Sequence, residues 1–247
     1  MSTNVVEVTL AALATAFATG LGALPFLFVS SMSRRWVGLS NAIAAGFMLS
    51  ASVALAIEGA TRGLGRVAAG AAVGAIFIAA TRRVISGHQD IHFGNLRAAD
   101  AKKAVLIVAV MTVHSFSEGV GLGVAYGGGA ALGIFITLAI AIHNIPEGLA
   151  ISLVLVPRGT RVRAAAGWSI FTSLPQPLLA APAFLFVETF RPFLPVGLGF
   201  AAGAMTWLVL AELLPDAREE LGVRAVIPWL VVSFVAMSLL QLLLLAR

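Results

Sequence analysis

The 247-residue chain has no cysteine, which rules out disulfides and thiolate-bound metal. Charge is scarce as well: Asp, Glu, Lys and Arg make up 11% of the residues, against about a quarter in soluble domains. No stretch is polar enough to form a water-soluble domain. What is present is hydrocarbon, with 60% hydrophobic residues and a mean hydropathy of +1.00. This is the composition of an integral membrane protein, best divided into spans of about 20 residues. The net charge of +5 is not a nucleic-acid footprint, because the basic residues sit in connections, where they set orientation.

The opening "MSTNVVEV" carries no positive charge before its apolar run. A signal peptide usually has one, so a retained first helix is expected. Eight spans fit, at residues 5–30, 40–58, 67–85, 103–126, 130–156, 164–187, 193–214 and 225–246. The third is short in its charge-free core, 67–81, and relies on Arg66 and Arg82 snorkelling to the headgroups. With the N-terminus outside, the cytoplasmic connections hold Arg34, Arg35, Arg82, Arg83, Arg97, Lys102, Lys103, Arg158, Arg161, Arg163, Arg218 and Arg224. Of the 16 basic residues only Arg62, Arg66, Arg191 and Arg247 stay outside, which is the positive-inside asymmetry.

The expected fold is therefore an all-α polytopic membrane protein: one transmembrane domain over residues 1–247, eight helices, both termini outside. "AAGFM" at 44–48 recurs as "AAGAM" at 201–205, in oppositely directed spans. Inverted pseudo-repeats of this kind mark transporters and place the site between the halves. The longest connection, 86–101, is expected in the cytoplasm; its His88, Asp90 and His92 read as a metal-collecting loop or as simple loop polarity.

Two stretches break the hydrocarbon. "VHSFSEGVG" places His114 and Glu118 four residues apart, and "IHNIPEGLA" does the same with His143 and Glu147. Residues i and i+4 share a helix face, so two such helices side by side would converge two imidazoles and two carboxylates. That set suits Zn2+ and also accepts Fe2+, Mn2+, Co2+ or Cd2+. A carboxylate at bilayer depth costs at least about 2.5 kcal/mol, which a bound cation offsets. One His–Glu pair could be a structural hydrogen bond; two pairs, each followed by glycine, argue against it. Pro146 frees the carbonyl of Ile142, and such a carbonyl needs protein, water or an ion. Pro175 and Pro177 should kink the sixth span. Glu58 and Glu212, near span ends, read as ion way-stations or as snorkelling interfacial carboxylates; Asp216 reads as solvated.

"HSFSEG" and "HNIPEG" in the fourth and fifth spans, with "AELLPDA" at 211–217, resemble the ZIP (Zrt/Irt-like protein) divalent-metal transporters, in particular their short bacterial GufA-like branch. The resemblance implies a site between the fourth and fifth spans, loaded from outside and emptied into the cytoplasm. By position His114 and Glu118 would be ligands from one helix, and His143, Asn144 and Glu147 from the next, with the thioether of Met48 available from the second span. Members that hold two metals carry Asn after the fourth-span histidine and Glu-Pro in the sixth span. Here Ser115 and Gln176–Pro177 stand there, so one well-formed site is expected, with a vestigial neighbour near Ser115, Asn144 and Gln176.

The expected function is movement of a divalent cation, zinc first, into the cytoplasm across the inner (cytoplasmic) membrane of a bacterium. Its partners are the ion as substrate and the lipid bilayer, with a homodimer as one option for assembly. Ligation needs neutral His and ionised Glu, so binding should weaken in acid. A metal-free proton-coupled solute carrier is an alternative, disfavoured for anions because the middle spans lack Lys and Arg. An intramembrane metal-dependent hydrolase is another, but H-x-x-x-E on two helices spends all four groups as ligands and leaves no spare base; no enzyme activity is expected.

Overall fold

The computed structural model describes residues 4–29, 32–87 and 98–245, and these form helices joined by short turns. His88, Asp90 and His92 lie outside the described residues. The first helix, α1 (Val5–Leu21), opens on a capping box. Asn4 Oδ1 accepts from the Glu7 amide at 2.9 Å, and the Glu7 carboxylate accepts from the Asn4 amide at 3.4 Å. Its buried face, Val8, Ala12, Thr15, Ala16 and Thr19, keeps helical spacing. The helix stops well short of the expected residue 30, because Gly22 ends it and Pro25 starts a 3₁₀ turn over Leu24–Leu27.

Segment α2 (Arg34–Gly87) is two helices joined at Gly63, whose φ of 153° only glycine adopts freely. A Cβ placed on Gly59 would touch the Val67 side chain. In an unbroken helix those residues sit about 12 Å apart, so the chain reverses at Gly63. The sequence expectation of an interruption between 58 and 67 has this cause. Helix α3 (Ala98–Gly128) and α4 (Ala130–Leu155) meet at Gly129, again with positive φ (143°).

Helices α5 (Val162–Ser173) and α6 (Pro175–Thr189) form one apolar rod with a joint. Pro175 has no N–H for the carbonyl of Phe171, which takes the Leu174 amide at 3.2 Å instead. Helix α7 (Leu194–Leu208) passes through a π-helical turn, Val209–Leu213, into α8 (Leu214–Leu221). Here the expected end at 214 is overrun: Pro215 falls in the first turn of α8, where no N–H is needed. The stop is Gly222, and α9 (Val223–Leu245) follows.

Among the described residues five segments are long and apolar enough to cross a membrane: Arg34–Val84, Ala130–Arg158, Val162–Thr189, Arg191–Leu221 and Val223–Leu244. Val5–Leu21 is apolar but shorter. The protein is a multi-pass, all-helical membrane protein. Its helices close on small residues, as lipid-embedded packing requires. A Cβ on Gly70 or Gly74 of α2 would strike the α7 backbone at Val196 or Phe200, and one on Gly203 of α7 would strike Ala71. A Cβ on Gly148 of α4 would run into the Thr19 carbonyl of α1, and one on Gly123 of α3 into Ala180 of α6. Thus α1, α3, α4 and α6 are drawn together backbone to backbone, and the two H-x-x-x-E motifs lie among them.

Candidate metal centre

Four side chains converge between α3 and α4. Among the residues whose side chains are described, His114, Glu118, His143 and Glu147 are the only histidines or acidic or basic residues that are buried. One ligand atom from each can be chosen so that all four lie within 4.8 Å of one another. Tetrahedral Zn2+ at its usual bond lengths of about 2.0–2.1 Å sets ligand atoms roughly 3.3 Å apart, so a small contraction closes the set on an ion. The i, i+4 spacing put each pair on one face; the glycines that follow the motifs seat other helices close by, Gly119 against Gln176 of α6 and Gly148 against Thr19 of α1.

The hydrogen bonding says what the centre wants. His143 Nδ1 lies 2.9 Å from the carbonyl of Ala139, and a carbonyl can only accept, so Nδ1 carries the proton. The neutral ring then presents a bare lone pair at Nε2, and that atom abuts Oε1 of Glu118. His114 Nε2 meets the same Oε1 at 3.1 Å. A His143 lone pair facing an anionic oxygen calls for a cation or a proton between them. An imidazole tied by its other nitrogen to a backbone carbonyl is also the usual outer support of a metal-bound histidine. Glu147 is buried with neither oxygen hydrogen-bonded, and His114 Nδ1 is likewise without a partner. Buried polar atoms left unpaired cost about 1–3 kcal/mol each, more when charged.

The residues expected at a second position behave differently. Ser115 is fully buried and its hydroxyl has no partner. Asn144 spends its amide hydrogens on the Thr15 carbonyl (2.9 Å) and Gln176 Oε1 (3.3 Å), leaving Oδ1 unpaired. Gln176 uses Oε1 to accept from Thr15 Oγ1 (2.6 Å) and Asn144, and turns its amide Nε2 to Glu118 Oε2 at 2.6 Å. Its oxygen is thus occupied. Thr15 was not foreseen: a threonine in an apolar helix carries no local sign of the partner it meets 161 residues away.

A cavity of about 720 Å³ reaches the centre from one end of the bundle. Met48, His114, His143 and Glu147 line it at helix midpoints, and Arg34, Arg158, Glu219 and Glu220 line it where α2 begins and α4 and α8 end. Met48 lines the same cavity as the two imidazoles. Glu212 and Asp216 also line this cavity, Glu212 with Arg82 at 3.3 Å; Asp216 is exposed there, in keeping with a solvated carboxylate. Glu58 lies elsewhere, paired with Arg62 at 2.7 Å. At that opposite end Arg62 and Arg191 donate to the carbonyls of Gly128 and Gly127, both at 3.0 Å, and cover the end of α3.

Comparison with known proteins gives an independent result. The sequence profile described as "ZIP Zinc transporter" matches residues 79–246. An Arabidopsis thaliana protein named "Putative zinc transporter At3g08650" is 47% identical over 241 residues, covering 96% of this chain and 39% of its own length. The chain thus spans about two fifths of the length of the curated relative it matches.

Proposed function

The chain belongs to the ZIP zinc transporter family, and from that premise we propose that it carries a divalent cation, zinc first, across a membrane and releases it through the cavity that opens beside Arg34 and Arg158. The observation that carries this reading is the convergence of the four buried groups His114, Glu118, His143 and Glu147. His114 Nδ1 and both Glu147 oxygens are buried without a partner, and His143 Nε2 faces Glu118 Oε1. In this reading those four are the ligands, and Asn144 Oδ1 and the Met48 thioether are auxiliary donors as the ion enters or leaves. Ser115 and Gln176 offer neutral groups where a second ion would have to bind, so the centre takes one. Fe2+, Mn2+, Co2+ and Cd2+ fit the same donors and compete with Zn2+.

The wider arrangement follows the same reading. The reversal at Gly63 and the joint at Leu174 support eight crossings within a single domain over 1–247, with both termini outside. The twinned "AAGFM" and "AAGAM" support an inverted repeat: Met48 and Met205 are both buried. Arg34, Arg158, Arg161 and Arg163 gather at the end where the cavity opens, which by the positive-inside rule is cytoplasmic. The conformation is then inward-facing. The resemblance of the two H-x-x-x-E motifs to the GufA-like branch supports a bacterial cytoplasmic membrane as its home.

The test is uptake of radioactive Zn2+ by proteoliposomes, with Fe2+, Mn2+, Co2+ and Cd2+ as competitors. Accumulation over empty liposomes supports the reading. A shared proton between His143 and Glu118 would serve a metal-free carrier equally well, and a protein of that kind, or a hydrolase, would accumulate no zinc.

A further inference from the structure

Gln176 sits in a hydrogen-bond chain whose direction is fixed at both ends. At one end is the Thr15 carbonyl on α1, which can only accept; the Asn144 group beside it at 2.9 Å is therefore the amide Nδ2. That same Nδ2 lies 3.3 Å from Gln176, so the Gln176 atom facing it is the oxygen Oε1. With the oxygen placed there, the Thr15 hydroxyl 2.6 Å away turns its single hydrogen to it in preference to the Ala12 carbonyl at 2.8 Å. The other end of the Gln176 side chain must then be the NH2 group, and it meets Oε2 of Glu118 at 2.6 Å. An ionised carboxylate only accepts, so both ends agree. Turning the amide over would set oxygen against carboxylate and NH2 against NH2, losing the bonds to Glu118 and Asn144 at once. The residue is fully buried, where such losses are not made good by water.

Resting on the reading of a one-ion centre above, we infer that Gln176 is a positioning residue: it holds Glu118 by Oε2 so that Oε1 is presented to both imidazoles, and it confines the centre to a single divalent cation. The restriction has two parts. The only atom of Gln176 able to bind a metal is engaged by Thr15 and Asn144. The face turned to Glu118 is N–H, which repels a second cation from the free side of that carboxylate. The chain also ties α1, α3, α4 and α6 to one carboxylate, so Glu118 cannot rotate without disturbing four helices.

The test is titration of the purified protein in detergent with Co2+, read by its visible spectrum and by bound metal per chain. The wild type is expected to bind one Co2+. Gln176→Leu should still bind one, with affinity lowered about ten- to a hundredfold, the usual cost of losing an outer-shell partner, and with an altered Co2+ spectrum because Glu118 is released. Gln176→Glu places a carboxylate against Oε2 and should raise the stoichiometry to two. Thr15→Val keeps the side-chain volume on a different helix and should weaken Co2+ about fivefold by removing one hydrogen bond; it decides the matter if the Gln176 variants are not recovered folded. Wild-type affinity and spectrum in Gln176→Leu, unchanged affinity in Thr15→Val, one Co2+ in Gln176→Glu, or two in the wild type would each overturn the inference while leaving the centre intact. A wild type that binds no Co2+ would instead remove the centre itself.

Discussion

His143 meets Glu118 lone pair to charge: with Nδ1–H committed to the Ala139 carbonyl, the imidazole directs a bare Nε2 at the carboxylate Oε1. A proton on Nε2 would resolve that contact alone. A divalent cation resolves it too, and in doing so it also satisfies Glu147, whose two oxygens are buried without partners.

Removing a ligand should therefore abolish transport without removing the protein. In His143→Ala and in Glu147→Ala, zinc uptake is expected to fall to the empty-liposome level, and Co2+ affinity to fall by more than the about hundredfold cost of an outer-shell change. Membrane-inserted protein, measured by extraction and blotting, should stay near the wild-type amount. Wild-type uptake in both variants would remove them from the centre.

The side on which the cavity opens can be read chemically. Because the chain has no cysteine, a single introduced thiol reports alone. Leu153 lines the cavity, so Leu153→Cys is expected to react with an impermeant maleimide only from the cytoplasmic face. Ala130 is exposed at the opposite end, after the Gly129 turn, and Ala130→Cys should react only from outside. Reversed labelling would invert the orientation.

The H-x-x-x-E pairs were legible because helical periodicity is local: four residues is one turn in any helix, and charge in hydrocarbon is conspicuous. The break at Gly63 was legible for a similar reason, as a gap in apolar character around Arg62 and Arg66. Helix ends were not. The first span stops at Leu21 although the residues to Ser30 are as apolar as those before, since Pro25 and Gly22 outweigh hydropathy. The seventh runs past Leu214 because a proline in a helix's first turn does not end it. The Thr15–Gln176–Glu118 connection was invisible, as nothing local encodes a contact spanning 161 residues. Met48 could be placed only by resemblance.

Close packing should be sharply position-dependent. Gly148→Ala drives a Cβ into the Thr19 carbonyl, and overpacking of this sort costs about 1–3 kcal/mol. Gly167, on α5, has nothing within 4 Å of the added Cβ; Gly167→Ala should be neutral or stabilise by up to about 1 kcal/mol. Thermal unfolding in detergent compares the two. Equal melting temperatures would show that α1 and α4 are not in backbone contact.

Proton competition should govern loading. Both imidazoles must be neutral and both carboxylates ionised to hold the ion, so Zn2+ affinity should fall as the medium is acidified and the centre should release protons on binding. Calorimetry in two buffers of different ionisation enthalpy measures the protons directly. Binding with no proton release and no loss in acid would mean that the imidazoles take no part.

The most direct measurement is zinc-edge X-ray absorption on the zinc-loaded protein. The expected result is a four-coordinate nitrogen and oxygen shell at about 2.0–2.1 Å, with the outer scattering of two imidazoles, one of which disappears in each of His114→Ala and His143→Ala. A six-oxygen shell without imidazole scattering, unchanged in those variants, would contradict the assignment of the ion to the space between α3 and α4.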